Sequence, residues 1–324
     1  MYGAPESTED ISMSNRRSDL HPEVEAMLAT LDAGFPDVAA FPAVEVRSMI
    51  DARRAPLGGQ PDMRSVQNLT IDGPDGDPLP LRVFTPHAAA DGALPTIVFA
   101  HGGGFVFCGI DSHDEFTRSL AEHTGSVVVS VEYRLAPEHQ APAALEDMYT
   151  AVQWATEHAG EYGGDVDRVA VAGDSAGGLL SAAVCLAARE RGGPKIAAQI
   201  LLYPVIDDDF DTESYRLYGE GYYNTTRAMK WYWDQYAPTG RDDMLVVPAR
   251  AESLADLPPT VMITAELDPP AASGVRYAER LRADGVEVHE HQLEGLFHGV
   301  LTFANFPLTP QARQTVWDLI GEVL

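Results

Sequence analysis

The chain has 324 residues, 45% of them apolar, so it is long enough to bury a large core as one extended α/β unit or as a core with an appended lid. Its 22 basic and 49 acidic side chains leave a formal net charge of −27, a surface that repels phosphate backbones and anionic lipid and argues against nucleic acid as a partner. Lys195 and Lys230 are the only lysines, a bias that fits either adaptation to high salt or an Arg-rich, GC-rich coding sequence. No stretch approaches the ~18 apolar residues of a membrane span. The two cysteines, Cys108 and Cys185, cannot build a disulfide framework, so a cytoplasmic setting is expected.

The first 20 residues are polar and mixed in charge, lack the apolar run of a signal peptide, and read as loose chain. Val24, Met27, Leu28 and Leu31 give residues 22–32 helical spacing, and Val44, Val46, Met49 and Ile50 do the same for 43–55. Both helices precede the first strand signals and are assigned to a lid. Strands over 65–71 and 79–85 flank a turn-forming segment at 72–78. Further strands are expected at 95–101, 126–133, 168–173, 197–203, 260–266 and 286–293, with helices at 113–124, 143–158, 176–191, 271–284 and 309–323 between them. That alternation predicts an α/β fold, a mostly parallel sheet covered by helices on both faces. It breaks between 207 and 245, a segment rich in Tyr and Trp, which reads as a helical insertion over the sheet's C-terminal edge. The division expected is a segment with lid helices (1–60), a first core part (61–206), the insertion (207–245) and a second core part (246–324).

Gly173-Asp174-Ser175-Ala176-Gly177 matches G-x-S-x-G between an apolar strand and a helical run, which puts Ser175 on a tight strand-to-helix turn. The helix N-terminus there favours developing negative charge. His101-Gly-Gly-Gly-Phe105 follows an earlier strand, and its bare amides, with that of Ala176, suit an oxyanion. Serine needs a base. Among ten histidines, His298, after the strand at 286–293, is placed to reach Ser175. His113, His123 and His158 sit in or beside helices and read as surface residues. Asp268 follows the preceding strand and is preferred as the orienting acid, with Glu266 as its competitor two residues earlier. The chain order Ser, Asp, His fits an α/β-hydrolase.

Taken together, HGGGF at 101–105, YRLAPEH at 133–139, GDSAGG at 173–178, Asp268-Pro269 and Phe297-His298-Gly299 resemble the hormone-sensitive-lipase family of esterases, bacterial family IV. The likeness spans about residues 65 to 324. It implies an eight-stranded α/β-hydrolase fold, a cap built from the N-terminal helices and the insertion, and Gly103 and Gly104 as oxyanion donors with Ala176. Arg134 and Glu138 would hold loops near the site. The activity implied is hydrolysis of short- to medium-chain acyl or aryl esters by a serine carboxylesterase, with no metal or organic cofactor. An amidase, a hydrolase of a bulky ester, and a non-catalytic receptor on the same scaffold are the alternatives. Related enzymes also lead one to expect a possible homodimer. Phe105, Tyr223, Trp231 and Phe297 are the expected pocket residues, although packing of cap helices onto the core would account equally for the insertion's aromatics. One departure stands out: where the family carries a second acid after the catalytic Asp, this chain has Ala272, which leaves the support of that loop in question.

Overall fold

The computed structural model describes residues 20–52, 59–87 and 92–324. The expected loose start, apart from Leu20, and residues 53–55 of the second expected helix lie outside them. Two N-terminal helices, α1 (Pro22–Gly34) and α2 (Ala43–Asp51), precede strands β1 (Ser65–Asp72) and β2 (Pro78–Thr85). The core then alternates as β3 (Leu94–Ala100), α3 (Asp114–Thr124), β4 (Val127–Val131), α4 (Ala143–His158), β5 (Gly164–Asp174), α5 (Ala176–Arg191) and β6 (Gln199–Leu202). The insertion contributes two short helices, α6 (Glu213–Tyr218) and α7 (Thr226–Tyr236). The chain continues with β7 (Thr260–Leu267), α8 (Ala271–Ala283), β8 (Val288–Phe297) and α9 (Thr309–Val323).

The eight strands form one sheet in the order β1-β2-β4-β3-β5-β6-β7-β8. Strand β2 runs antiparallel to both neighbours and the remaining pairs are parallel. The period-two alternation of strand side chains divides the core. Val98, Val129, Val171 and Leu201 pack with α4, α5 and α8 on one face, while Ile97, Phe99, Ala170, Ala172 and Ile200 pack with α3 and α9 on the other. Because both faces are covered, the central strands read as unbroken apolar runs.

Helix α5 is buried along Ala176–Ala188, so it carries no polar face and no amphipathic signature. Its small first turn explains its depth. A Cβ on Gly177 would stand 2.0 Å from the Ala100 carbonyl oxygen, and one on Gly173 would stand 2.2 Å from Gly177 O. Strand β3, strand β5 and the start of α5 therefore approach at a distance that admits hydrogen only.

Strand β8 extends beyond its expected end and delivers His298 directly from its last residue. An irregularity in its pairing with β7 falls between Ala265 and Leu267. Glu266 braces it by accepting the Gly295 N–H at 2.7 Å.

The N-terminal helices lie against the insertion. Asp32 of α1 accepts the Tyr223 N–H at 3.2 Å, and Asp37 pairs with Arg227 at 2.6 Å. Arg47 of α2 grips the core, pairing with Glu138 and donating to the Val106 and Ala136 carbonyls. Arg134 instead pairs with Asp147 and Asp75. No helix among the described residues is long and apolar enough to cross a membrane.

Substituting Gly177→Ala tests the close approach. Helix propensity alone would make alanine stabilising by ~1 kcal/mol, but the methyl meets backbone that cannot turn aside. Denaturant titration should show a net loss of about 3 kcal/mol. A neutral or stabilising result would mean that β3 and α5 have room to spare.

Candidate active site

Ser175 stands between β5 and α5 with φ 55° and ψ −115°, a backbone conformation that costs a non-glycine residue ~1–3 kcal/mol. Surrounding bonds hold it there. Its N–H donates to Leu202 O, and its carbonyl accepts from Leu179 N and Val205 N. The Oγ is thereby presented at the C-terminal edge of the sheet, 2.7 Å from His298 Nε2. His298 Nδ1 lies 2.7 Å from Asp268 Oδ2. With the ring proton on Nδ1, the imidazole donates to Asp268 and Nε2 accepts the Ser175 hydroxyl.

Asp268 is fully buried and Ser175 and His298 nearly so. Burial raises the Asp268 pKa, and the neighbouring His298 only partly offsets this. Oδ1 of Asp268 accepts no hydrogen bond among the described residues. The imidazole is therefore the one described partner of this carboxylate. Glu266 takes no part, since it is engaged with Gly295.

The loop after Asp268 is held by a residue that motif reading did not reach. Ser214, at the start of α6, donates to the Pro269 carbonyl at 2.6 Å, and its Oγ accepts the Ala272 N–H at 3.2 Å. This hydroxyl from the insertion supplies local support where Ala272 replaces the family's second acid.

The glycine loop after β3 approaches Ser175 from the other side. Gly103 and Gly104 adopt φ 119° and 57°. Their amides, and that of Ala176, donate to no protein group among the described residues. A Cβ on Gly104 would stand 2.5 Å from the Tyr232 ring, so α7 lies directly on this loop. Gly102 N–H donates to Asp174 Oδ1 at 2.7 Å, which joins the glycine loop to the residue preceding Ser175. His113 Nε2 lies 3.3 Å from the same carboxylate oxygen, and its Nδ1 2.9 Å from Ser112 Oγ. Burial opposes the Asp174 charge, but His113, His101 and the Gly102 amide outweigh it and hold the pKa below the usual carboxylate value. His113 is thus no surface residue. It packs against Phe99 and Phe116 and borders the cavity at Ser175.

That cavity, about 100 Å³, is lined by Phe35, Phe107, Cys108, Tyr223, Asn224, Tyr232 and Phe303 beside Ser175 and His298. Of the four expected pocket residues, Tyr223 lines it and three do not. Phe105 has φ 65° and stacks on Tyr236 with ring centroids 3.9 Å apart, turned into the core. Phe297 is fully buried among Phe303 and Phe306. Trp231 lies one helical step away from Tyr232, the residue that α7 turns towards Gly104.

Two further contacts steady His298 and the segment after it. The Tyr203 ring centroid lies 5.1 Å from that of His298. In α9, Arg313 donates to Leu301 O at 2.7 Å and forms a bidentate pair with Glu115 of α3, both bonds 2.7 Å. This ties the segment following His298 to the body of the fold.

A backbone-strained serine, an imidazole in line with a buried carboxylate, and bare glycine amides at the end of a parallel strand define an α/β-hydrolase site. The α/β-hydrolase fold family model matches residues 97–302, and the chain belongs to that family, in its hormone-sensitive-lipase group. It is 41% identical over 260 residues to Esterase LipI of Mycobacterium tuberculosis, covering 78% of this chain and 79% of that one. It is 37% identical over 297 residues to Carboxylesterase NlhH of Mycobacterium tuberculosis, covering 89% and 91%. An ester-hydrolase from the metagenome of Lake Arreo, solved with a derivative of bipyridine phosphonate, superposes with a TM-score of 0.87 at 33% identity, covering 94% of this chain and 98% of that one.

Two measurements probe the scaffold of the site. Ser214→Ala should lower kcat by ~10-fold while leaving the fold intact, because the Asp268 loop loses both of its ties to α6. Unchanged kcat would show that the loop holds itself. The second concerns His101, whose ring stacks on Tyr133 and whose pKa burial depresses from 6.5 to about 3. The unfolded chain takes up the proton below 6.5 and the folded one does not, so stability is full above 6.5 and is lost as pH falls towards about 3. Between pH 7 and about pH 4.5 this site should cost the wild type roughly 2–3 kcal/mol more than His101→Gln. Equal losses in urea titrations would overturn the assignment.

Proposed function

We propose that this carboxylic ester hydrolase works through a Ser175 acyl-enzyme, with His298 as general base and acid, Asp268 as the orienting carboxylate, and the amides of Gly103, Gly104 and Ala176 as the oxyanion hole. The observation that carries this reading is the continuous pair of 2.7 Å contacts from Asp268 through His298 to Ser175 Oγ.

In the first step His298 Nε2 takes the Ser175 proton as Oγ bonds to the ester carbonyl carbon. The carbonyl oxygen becomes an oxyanion facing the three amides, each worth about 3 kcal/mol of barrier in sites of this type. Collapse breaks the bond to the alcohol oxygen, which leaves with the proton from His298. Water then attacks the acyl-serine as His298 accepts its proton, and the acid departs as Oγ recovers a hydrogen. Asp268 keeps the imidazole in the tautomer that presents a lone pair to Ser175 and stabilises the imidazolium between proton transfers. Its buried, sparsely bonded carboxylate supports that role.

The substrates are short- to medium-chain acyl or aryl esters, a class supported by the small cavity at Ser175 and by the esterase names of the relatives. The helices before residue 60 and the insertion at 207–245 act together as the cap over the core parts at 61–206 and 246–324. A cytoplasmic setting is in keeping with a chain of only two cysteines, too few for a disulfide framework. Strand β8, which ends the sheet, is the surface on which a homodimer would form.

Ser175→Ala should abolish hydrolysis of p-nitrophenyl butyrate by several orders of magnitude with an unchanged thermal midpoint, and Asp268→Asn should lower kcat by ~10⁴-fold. Ester turnover retained in Ser175→Ala would refute the nucleophile. Matched kinetics on an aryl ester and its anilide would separate this reading from an amidase.

A further inference from the structure

Three cavities meet at one group of rings. The chamber at Ser175, about 100 Å³, is smaller than the ~150 Å³ engineered cavity that accommodates benzene, so a longer acyl or alcohol group must leave it. A second cavity of about 380 Å³ lies between α1 and the insertion. It includes Leu31, Val38, Thr226 and Ala228 in its lining and shares Phe35 and Tyr223 with the chamber. A third, about 470 Å³, lies between α1 and the segment after His298 and shares Thr302 and Phe303 with it. The Tyr223 ring stands edge-on to both neighbours, 5.0 Å and 81° from Phe35 and 5.9 Å and 74° from Phe303. Phe35, Tyr223 and Phe303 therefore make one continuous wall between the small chamber and the two larger spaces.

The central ring of that wall is held in place from both directions. Tyr223 adopts φ 70°, a left-handed conformation uncommon for a non-glycine residue. Its N–H is held by Asp32 of α1. The ring thus depends on a contact between two parts of the chain that are far apart in sequence.

We propose that Tyr223, backed by Phe35, is the length stop of the active site: it sets the largest acyl or alcohol group the enzyme turns over efficiently, and removing it opens the chamber into the 380 Å³ cavity. This inference rests on the esterase reading above. It assigns Tyr223 to substrate selection and not to bond breaking.

The test uses two substrate series, p-nitrophenyl esters of lengthening acids and acetates of lengthening alcohols, with the wild type, Tyr223→Gly and Phe35→Ala. Glycine removes the ring and adopts the left-handed backbone freely. In both variants the kcat/KM ratio of the C8 substrate to the C2 substrate should rise by ~10-fold or more in at least one series, chiefly through KM. Unchanged ratios in both series, with either variant folded and active on the short ester, would overturn the proposal. So would a folded variant that cleaves neither short nor long esters, since a stop has no share in the chemistry. If Tyr223→Gly fails to fold, Phe35→Ala decides alone. A wild type inactive on every ester would instead refute the functional reading, a different outcome from unchanged ratios.

Discussion

The site depends on the distance between strand β3 and the first turn of α5. Only hydrogen fits where Gly177 passes the Ala100 carbonyl, and Asp174 completes the junction by accepting the Gly102 amide. The amides of Gly103 and Gly104 follow one strand, and Ser175 and the Ala176 amide follow another. Their separation is set by this junction before any substrate arrives. Groups fixed in this way need no rearrangement when a ligand enters, so a small displacement here would disturb their mutual geometry. The strained backbone at Ser175 belongs to the same arrangement, since its carbonyl and amide are held by Leu179, Leu202 and Val205.

Two buried carboxylates near Ser175 show how environment divides labour. Asp174 is surrounded by donors, and its pKa is held below the ordinary value. Asp268 is equally buried but has His298 as its described partner, and its pKa is pushed upwards. A carboxylate with many partners serves as a fastener, because its charge is already satisfied. One with a single partner concentrates its negative charge on that group, here the His298 imidazole, and in the mechanism proposed above that ring carries a positive charge between proton transfers. The price in stability of the second arrangement falls where the chemistry needs it.

The sequence made legible those features written in short stretches of chain. The sheet and its helices follow from alternating apolar runs, and the turns around Ser175 and the glycine loop follow from residues that only a tight backbone demands. Which of Trp231 and Tyr232 faces the site was not legible. Neighbours on a helix point about 100° apart, and only the seating of α7 on Gly104 decides between them. Phe105 and Phe297 belong to the motifs themselves, yet both side chains are buried in the core. His113 read as a surface residue because nothing local announces that Phe99, Phe116 and Asp174 enclose it. Ser214 could not be tied to the Asp268 loop because 55 residues separate it from Pro269. In each of these cases, contact between distant segments decided the outcome.

The pair between Arg313 and Glu115 gives the order of the chain a temporal meaning. A nascent polypeptide exposes Ser175 and the glycine loop well before it exposes His298, and the carbonyl at Leu301 gains its clamp only once Arg313 has emerged and docked on α3. Until then the segment that follows His298 lacks this tie to the body of the fold. The last helix of the chain thus secures the segment that presents His298 to Ser175, and the geometry of the site is complete only with α9 docked.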